Sequence, residues 1–482
     1  MGTNSKSKLP NACNGDRISS LPNEILCLIL SLLPTKEAVK TSVLSPRWRY
    51  VWAPIPTLEL YDKSSQRALN SVSPSFAEFV GRRLFTHRSH PDRGFAEFVD
   101  RALGIRGSSD IHTFRLSCAG VENYPSVEDW ICTAIRLKVV ELELVLHSLS
   151  DPFKLPDNLF TCKTLVVLKL WLESNVTFTP TSGCFPNLKF FHARIRNPDA
   201  HSMKSLFYSC PALEDLIIDG LVAVRKVLNF NISAPKLKRL KIYVVKDEPW
   251  EETGSNISFY VSAPNLETFD LEEDFFANYC FKANELSKAN INLEDVHKSG
   301  HDDYELGWDY RLQKLFAGIK NVKFLSLSAP IFGDPGCYTE DNFPFPKLNR
   351  LNHLELLLDT CCNWKALIDL LNMSPHLEYL DFTTNKKCKA DHPLEDSVRE
   401  WVSPEFVPVC LSSYLKTISI QGIEGRHDEM EVTKYLLKHG KVLDKVTFYT
   451  SAVRADHKMK LCQDISMFSK GSTTCQIDFL EK

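Results

Sequence analysis

The hydrophobic positions of the chain recur in one short pattern between about residues 139 and 450. Each copy has an apolar residue, two variable residues, a second apolar residue, one variable residue and a third apolar residue. The first apolar residues, which we call the anchors, are Val139, Leu165, Leu188, Leu213, Leu237, Leu266, Val322, Leu351, Leu377, Leu415 and Leu443. The last two apolar residues of each copy are two positions apart and point to one side of an extended chain. Each copy therefore predicts one short β-strand.

The spacing of the copies favours a stack of parallel strands. Eight of the ten intervals between anchors are 23 to 29 residues, and a degenerate copy at Leu286, Ala289 and Ile291 lies inside the longest interval. A period of about 20–29 residues with this core is the signature of leucine-rich repeats, whose stacked strands bury one face under the returning chain. The asparagine or cysteine that usually follows the core is present at most once, as Asn385, so we expect an irregular stack.

Prolines mark the start of several copies. Those that stand two residues before an anchor are Pro186, Pro211, Pro235, Pro264 and Pro375. A proline in this place ends the preceding segment and biases its neighbour towards extended geometry. These prolines therefore predict where five of the strands begin.

Residues 16–60 show the pattern of three short helices. Pro22 suits a first helical turn, where its missing N–H would have no partner, and Pro34 ends that helix. Thr35 suits the N-cap of a second helix that runs to about Leu44. The tertiary arrangement of these helices depends on the apolar residues that they carry.

The third predicted helix begins at Ser45 and Pro46, an N-cap followed by proline at the first helical position. Trp48 and Trp52 are one turn apart on this helix and share a face.

The first of the three helices leaves almost no polar face. Its apolar residues are Leu21, Ile25, Leu26, Leu28, Ile29, Leu30, Leu32 and Leu33. A helix that is apolar all round must be covered on every side, and a segment of about 45 residues is too small to supply that cover. Either this helix packs on the rest of the chain or a partner chain covers it.

These residues resemble the F-box, the module through which substrate receptors of ubiquitin ligases dock on a Skp-type adaptor. The resemblance covers residues 16–60 and rests on the Leu-Pro start, the Val-Leu-Ser junction at 43–45 and the two tryptophans. It implies adaptor-facing roles for Leu21, Pro22, Ile25, Leu26, Ile29, Leu30, Val43, Leu44 and Trp48. Spacing alone leaves open which of them face the adaptor and which face the module's own core.

The residues from about 400 onwards have a different order of elements. A strand pattern at 415–420 precedes a helical stripe within 429–443, a strand-like segment at 446–448 and a closing segment at 474–479. This order resembles the FBD domain that ends many plant F-box proteins. We expect the domain to cap the open end of the stack, which otherwise exposes an apolar cross-section, and a dedicated binding role is the alternative.

Together these segments resemble the plant F-box/FBD/LRR-repeat family over nearly the whole chain. The resemblance implies an α/β fold in which an N-terminal three-helix F-box precedes an irregular leucine-rich-repeat solenoid with a C-terminal FBD cap. The predicted boundaries are 1–15 for a disordered N-terminus, 16–60 for the F-box, 61–135 for a linker and helical lead-in, 136–399 for the repeats and 400–482 for the FBD domain. The lead-in contains a duplicated Phe-Ala-Glu-Phe-Val segment, at 76–80 and 95–99, whose second copy predicts an amphipathic helix against the first repeat.

Composition and charge narrow the classes of partner. The 482 residues carry a formal net charge of −3, which gives no reason to expect nucleic acid or an anionic membrane. No run approaches about 18 consecutive apolar residues, and the polar start lacks a signal-peptide core. The 15 cysteines are odd in number and never spaced C-x-x-C, so we expect them to be reduced. These features predict a protein of the nucleus or cytoplasm.

Motifs for catalysis are missing from the sequence. It contains no phosphate loop, zinc-protease motif or serine-hydrolase elbow, and no carboxylate pair with a defensible catalytic spacing. His297 and His301, followed by Asp302, suggest a metal site, but Gly300 and the polar surroundings favour a solvated loop. We therefore expect no metal, no cofactor and no enzymatic activity.

The variable positions within and just after the strand cores are where specificity should lie. The candidate target-binding residues are Lys169, Trp171, His192, Arg194, Lys241 and Tyr243. Exposed Trp, Tyr and Arg side chains are favoured hot spots at protein interfaces. If the strands present them on one surface, that surface is basic at first and becomes acidic near Asp270. The alternative is that some of these side chains pack on neighbouring repeats.

The resemblance implies a substrate-recognition subunit of a Skp–cullin–F-box ubiquitin ligase. The F-box would bind a Skp-type adaptor, and through it a cullin, while the repeats hold a target protein near a ubiquitin-charged enzyme. The alternative is an adaptor-binding scaffold or competitor that does not direct degradation. The half-life of bound proteins in cells with and without the chain separates the two.

Overall fold

The structure is a computed structural model of the 482-residue chain. The residues that it describes are 18, 20–62, 93–119, 125–147, 153–173, 176–177, 184–198, 200, 206–208, 210–223, 227–247, 256–275, 277–293, 305–328, 346–359, 364–385, 401, 403–450 and 455–481. The N-terminus predicted to be disordered and the first copy of the duplicated segment lie outside the described residues.

Helices and strands are numbered here in chain order. The α-helices are α1 (Asn23–Ser31), α2 (Thr35–Lys40), α3 (Arg93–Arg106), α4 (Val127–Arg136), α5 (Glu305–Ile319), α6 (Trp364–Met373), α7 (Val409–Ser413), α8 (His427–His439) and α9 (Ala455–Ser466). Short 3₁₀ turns span Thr41–Val43, Trp48–Tyr50 and Asp157–Leu159. The strands are β1 (Thr57–Tyr61), β2 (Thr113–Ala119), β3 (Glu141–His147), β4 (Phe153–Lys154), β5 (Val167–Glu173), β6 (Val176–Thr177), β7 (Phe190–Arg196), β8 (Asp215–Val222), β9 (Leu228–Ser233), β10 (Arg239–Lys246), β11 (Ile257–Ser262), β12 (Thr268–Glu273), β13 (Asn278–Lys282), β14 (Lys288–Leu293), β15 (Phe324–Ser328), β16 (His353–Asp359), β17 (Tyr379–Asn385), β18 (Thr417–Gln421), β19 (Lys445–Tyr449) and β20 (Gln476–Leu480).

One long sheet organises the structure. Its fifteen strands are β1, β2, β3, β5, β7, β8, β10, β12 and β14 to β20, and they lie side by side in chain order. All of these pairs are parallel, and equivalent residues of neighbouring repeats pair with one another, as Leu216, Leu240 and Phe269 do. This succession of one strand per repeat confirms the predicted α/β solenoid.

The anchors that the sequence marks are all core residues, each with no more than 1% of its surface exposed. Five of them end a turn that contains the predicted proline. In one of these turns the Leu237 N–H donates to the Ala234 carbonyl at 3.1 Å, and Pro235 lies between them. Proline is favoured at the second position of such a turn because its φ angle is already set. These turns therefore lie just before five of the strands.

One side of the long sheet, which we call the covered side, is buried. Side chains of α3 to α9 contribute to its continuous core, and the middle repeats use a second parallel sheet made of β9, β11 and β13. A row of aromatic rings with neighbouring centroids 4.5–6.3 Å apart runs through this core: Phe160, Phe185, Phe191, Phe207, Phe230, Phe259 and Tyr279. The covering layer thus changes along the stack while the long sheet continues.

The other side of the long sheet is the open face. Its central row consists of the residues between the last two apolar positions of each copy, paired in register: Glu59, Arg115, Glu143, Lys169, His192, Ile217, Lys241, Asp270, Asn290, Ser326, Glu355, Asp381, Ser419, Thr447 and Asp478. Most of these side chains are half-buried or exposed. The open face is therefore available for contact along the whole stack.

The long sheet extends at both ends beyond 136–399, the predicted bounds of the repeat domain. β1 and β2 precede the first predicted copy, although the same apolar pattern also begins at Ile55 and Ile111. β1 begins inside the segment 16–60, so the N-terminal segment and the repeats share one sheet. At the other end, the C-terminal block continues the stack with β18, β19 and β20, each parallel to the strand before it.

The N-terminal module, residues 20–62, has a small core of its own. Its buried side chains are Leu26, Leu30, Ala38, Trp48, Val51, Trp52 and Ile55, which pack together with Ala102 of α3. The third predicted helix was wrong in extent: only the 3₁₀ turn Trp48–Tyr50 forms. Pro54 and Pro56 follow closely, and proline cannot continue a helix.

The second predicted helix also differs in detail. Pro34 is its N-cap, Thr35 is its first residue, and the helix ends at Lys40 before a 3₁₀ turn. The Thr35 hydroxyl accepts a hydrogen bond from the Glu59 N–H at 2.7 Å instead of capping the helix. This bond ties α2 to the first strand of the long sheet.

Candidate docking surfaces

The outer side of α1 is apolar. Ile25, Leu28, Ile29 and Leu32, which we call the α1 stripe, recur at three- and four-residue spacings and have 41–84% of their surfaces exposed. A contiguous group of exposed apolar side chains marks an interaction surface, since a lone protein gains nothing from it. Leu28 and Leu32 were not among the predicted adaptor-facing residues, although the helical spacing in the sequence could have indicated both.

The predicted adaptor-facing residues divide into two groups. Pro22, Ile25, Ile29, Val43 and Leu44 are exposed, and Leu21 is half-buried. Leu26, Leu30 and Trp48 are buried in the core of the N-terminal module, with at most 5% of their surfaces exposed. In this conformation these three side chains are not accessible to a partner, because they form part of the module's own core. They support the α1 stripe from beneath.

Arg47 connects the exposed parts of the N-terminal module. Its guanidinium donates hydrogen bonds to the Leu21 carbonyl and, at 3.0 Å, to Asn23 Oδ1 at the start of α1. Val43 and Leu44, a few residues before Arg47, are 86% and 64% exposed. The hydrogen bonds therefore hold the segment that carries Val43 and Leu44 beside the helix that carries the α1 stripe.

Ion pairs cross the first strands of the open face. The Arg115 guanidinium hydrogen-bonds to Glu59, and its Nε lies 3.5 Å from a Glu143 carboxylate oxygen. Lys169 Nζ lies 3.7 Å from the same Glu143 oxygen. Burial, together with the Glu59 and Glu143 carboxylates, raises the pKa of Tyr61 to about 12. Each charged side chain here has an opposite charge on the neighbouring strand. We call such ion-paired side chains of neighbouring strands on the open face the ladder.

A denser cluster forms around Asp219. Arg194 donates from Nε and Nη2 to the two carboxylate oxygens, both at 2.9 Å, and His192 Nε2 lies 3.0 Å from Oδ2. The Arg194 guanidinium also stacks over the Trp171 ring, 4.5 Å from its centre. Asp219 is only 5% exposed. Burial opposes its ionisation, but the hydrogen bonds from His192 and Arg194 hold the pKa of Asp219 below its usual value.

Lys241 and Tyr243 are the last two candidate target-binding residues, and Lys241 also forms an ion pair within the chain. Lys241 Nζ lies 3.0 Å from Asp270 Oδ2, and Asn290 donates a hydrogen bond to Asp270 as well. Burial raises the pKa of Tyr243. Four of the six candidate target-binding residues therefore contact acidic residues of neighbouring repeats: Lys169, His192, Arg194 and Lys241. This agrees with the alternative that some of these side chains pack on neighbouring repeats.

The predicted change from a basic to an acidic surface needs correction. Positive and negative side chains alternate across the strands, because parallel strands about 4.8 Å apart bring equivalent positions of successive repeats side by side. The charges of Lys169, Arg194 and Lys241 are thus balanced locally. Trp171 and Tyr243 remain half-buried on the same surface.

The described residues give no indication of a metal site. No group of three or more His, Cys, Asp or Glu is placed to hold a metal ion in the part of the chain that the structure describes. His297, His301 and Asp302 lie outside that part. The cysteines within it are free thiols. Among the described helices, none combines the length and the apolarity needed to cross a membrane.

An uncovered apolar helix and a long open sheet face together define a protein-interaction protein. Three family models match the chain in the order of these parts. The F-box domain model matches residues 18–55, the model of the LRR repeats of FBD-associated F-box protein At5g56370 matches 127–291, and the FBD model matches 403–448.

Relatives in Arabidopsis thaliana match almost the full length of the chain. F-box/FBD/LRR-repeat protein At5g56420 is 30% identical, with 96% of this chain and 99% of the relative covered. Putative FBD-associated F-box protein At5g56440 is also 30% identical, with 96% and 100% covered, and putative FBD-associated F-box protein At3g50710 is 27% identical, with 96% and 99% covered. The chain belongs to the F-box/FBD/LRR-repeat family of plant proteins, which confirms the resemblance in its sequence.

Proposed function

We propose that this protein is the substrate-recognition subunit of a Skp–cullin–F-box ubiquitin ligase. Its N-terminal module docks on a Skp-type adaptor, and through the adaptor on a cullin, while the repeats hold a target protein. The observation that carries the proposal is the exposed α1 stripe beside Val43 and Leu44 in a module that matches the F-box model. A partner that covers an apolar surface of this kind removes it from water, which favours the complex.

The contact set that we propose is narrower than the sequence predicted. It keeps the half-buried Leu21 and the exposed residues Pro22, Ile25, Ile29, Val43 and Leu44, and it adds Leu28 and Leu32. Leu26, Leu30 and Trp48 act indirectly because they build the core on which this surface rests.

The proposed mechanism needs no catalytic residue in this chain. Bringing a target and a ubiquitin-charged enzyme into one complex raises the effective concentration of target lysines near the reactive bond. The long sheet and its continuous core suit this role, because they hold the two docking surfaces on one framework. The proposal includes activity in the nucleus or cytoplasm, where the free thiols of the described cysteines would persist.

Adaptor binding is tested by replacing Leu28 with aspartate. Leu28 is 63% exposed, so Leu28→Asp should leave the fold intact while it places a charge in an apolar interface. The matched control is Met459→Asp, since Met459 is 67% exposed but lies on α9 at the far end of the chain. We expect the affinity for a purified Skp-type adaptor, measured by calorimetry, to fall by about tenfold or more in Leu28→Asp only. Equal affinity of the two folded variants would contradict the proposed surface.

Degradation is tested separately from docking. Proteins bound to the chain should have shorter half-lives in cells that contain the wild type than in cells that contain Leu28→Asp. Unchanged half-lives of every bound protein would favour the alternative of a scaffold or competitor, even if the adaptor binds as proposed.

A further inference from the structure

The open face changes character at β15. Phe324, His353 and Tyr379 are the first residues of β15, β16 and β17 and pair in register. The centres of their rings are 4.8 Å and 5.7 Å apart along the row, and Lys288 Nζ lies over the Phe324 ring at 4.5 Å. Tyr379 has 41% of its surface exposed. A strip of aromatic rings thus lies beside the central row on these three strands.

Beside this strip lies an acidic side chain, Glu355, that has no basic neighbour among the described residues. Among the described residues, the acids of the central row that have a basic neighbour are Glu59, Glu143, Asp270, Asp381 and Asp478, whose partners are Arg115, Arg115, Lys241, His353 and Lys445. Glu355 is exposed and has no such neighbour. It pairs in register with Asp381, and like charges on adjacent strands repel each other. A cation from outside the chain would relieve this repulsion.

On the other side of Glu355 stands an exposed leucine. Leu357 is two residues further along β16, and its in-register neighbours are the small side chains of Ser328 and Thr383. It is therefore left 41% exposed. Residues two apart on a strand are about 6.6 Å apart, so a second extended chain can match them residue for residue.

We propose that the open face of β15 to β17 binds an extended segment of the target with the pattern apolar, any residue, basic, any residue, apolar. The basic side chain pairs with Glu355, one apolar side chain packs on Leu357, and the other packs on the rings of Phe324 and Tyr379. This inference rests on the proposed function, since it names the chemistry of the target that the repeats would hold.

The test uses two fluorescent nonapeptides and the full chain bound to its adaptor. The first peptide is Gly-Ser-Leu-Ser-Lys-Ser-Leu-Ser-Gly, and the second has glutamate in place of the lysine. We expect the lysine peptide to bind about tenfold more tightly by fluorescence anisotropy. Glu355→Gln should abolish this preference and Glu355→Arg should reverse it, whereas Glu285→Gln, an exposed acid outside the open face, should leave it unchanged.

The apolar contribution has its own matched pair of variants. Leu357→Ser should weaken binding of the lysine peptide severalfold, and Leu480→Ser should not, because Leu480 is equally exposed, at 43%, but lies on the last strand. The inference is overturned if the lysine peptide shows no saturable binding, if it binds no better than the glutamate peptide, or if its preference survives Glu355→Gln. Adaptor affinity, measured on the same samples, separates this failure from a failure of the proposed function.

Discussion

The α1 stripe and the first strands of the open face are both exposed, but their side chains are satisfied in different ways. The leucines and isoleucines of the stripe have 41–84% of their surfaces exposed. On the open face, Arg115, Arg194 and Lys241 each contact an acidic side chain of a neighbouring repeat. The apolar surface of the stripe is exposed to water, whereas these three basic side chains already have partners within the chain.

This difference indicates where binding energy can come from. Covering apolar surface favours a complex because it removes that surface from water. Breaking a paired charge from its partner costs energy before any new contact forms. Binding on the open face is therefore favoured at positions where the ladder is incomplete, and Glu355 is such a position among the described residues.

The largest effect is expected from a substitution in the core beneath the α1 stripe, where stability and adaptor binding should respond differently. Trp52 is 2% exposed in the core of the N-terminal module, and Trp52→Ala should destabilise that module by about 3–5 kcal/mol through the cavity that it leaves. Leu32→Ala, at an 84% exposed position, should change the stability by less than about 0.5 kcal/mol and yet weaken adaptor binding. Hydrogen exchange of α1 and α2 measures the first effect. Similar protection in both variants would mean that the stripe and the core are not distinct.

The second largest loss of stability is expected from a substitution in the ladder of the open face. Asp219→Asn removes the charge that holds Arg194 and His192, and we expect a loss of about 2–4 kcal/mol in denaturant unfolding because Asp219 is buried. The folded pKa of Asp219 is depressed, so its stabilisation is present above about pH 4 and is lost as the pH falls through the folded pKa. The variant should therefore lose less stability in acid than the wild type. Parallel pH profiles would contradict the role of this pair.

A carboxyl group on the covered side, that of Glu273, should show the opposite pH dependence to that of Asp219. Glu273 is fully buried and accepts hydrogen bonds from the Tyr279 hydroxyl at 2.8 Å and the Ala277 N–H at 3.2 Å, and burial raises its pKa to about 8. Its stabilisation is therefore fully present below the unfolded pKa of about 4.3 and is lost as the pH rises towards 8. Relative to Glu273→Gln, the wild type should lose roughly 1–3 kcal/mol between pH 5 and pH 8. A constant difference across this range in thermal unfolding would show that Glu273 does not titrate there.

The smallest effect is expected for a partly exposed pair. Lys241→Met removes the ion pair with Asp270, and we expect a change of less than about 1 kcal/mol because water and salt screen such pairs. The change should shrink further in 0.5 M salt if it is electrostatic. A larger loss that is insensitive to salt would indicate that the lysine stem packs in a way that the ion pair does not capture.

Much of the fold was predictable because each repeat has a recognisable pattern within a few residues of sequence. The eleven anchors, the degenerate copy that became β14, and the prolines that begin the strands are all where the pattern placed them. The copies at Ile55 and Ile111 were missed, although they have the same apolar spacing. They precede the region in which the repeat is regular, so the N-terminal segment was interpreted as a separate unit.

The candidate surfaces were less predictable. The adaptor-facing set included Leu26, Leu30 and Trp48, which are buried, and omitted Leu28 and Leu32, which are exposed. An all-apolar helix has no polar side that shows its orientation, so spacing alone does not determine which residues point outwards. On the open face the residue types were identified, but their pairing with acidic neighbours was not.

The amino-acid sequence by itself determined most strands of the long sheet, their order and the family, because apolar spacing and turn prolines act within a few residues of one another. Tertiary structure decided which side of α1 stays uncovered and which charges of the open face are neutralised. Both depend on side chains that the fold brings together from repeats about 25 residues apart, and electrostatic pairing and burial are set by distance in space.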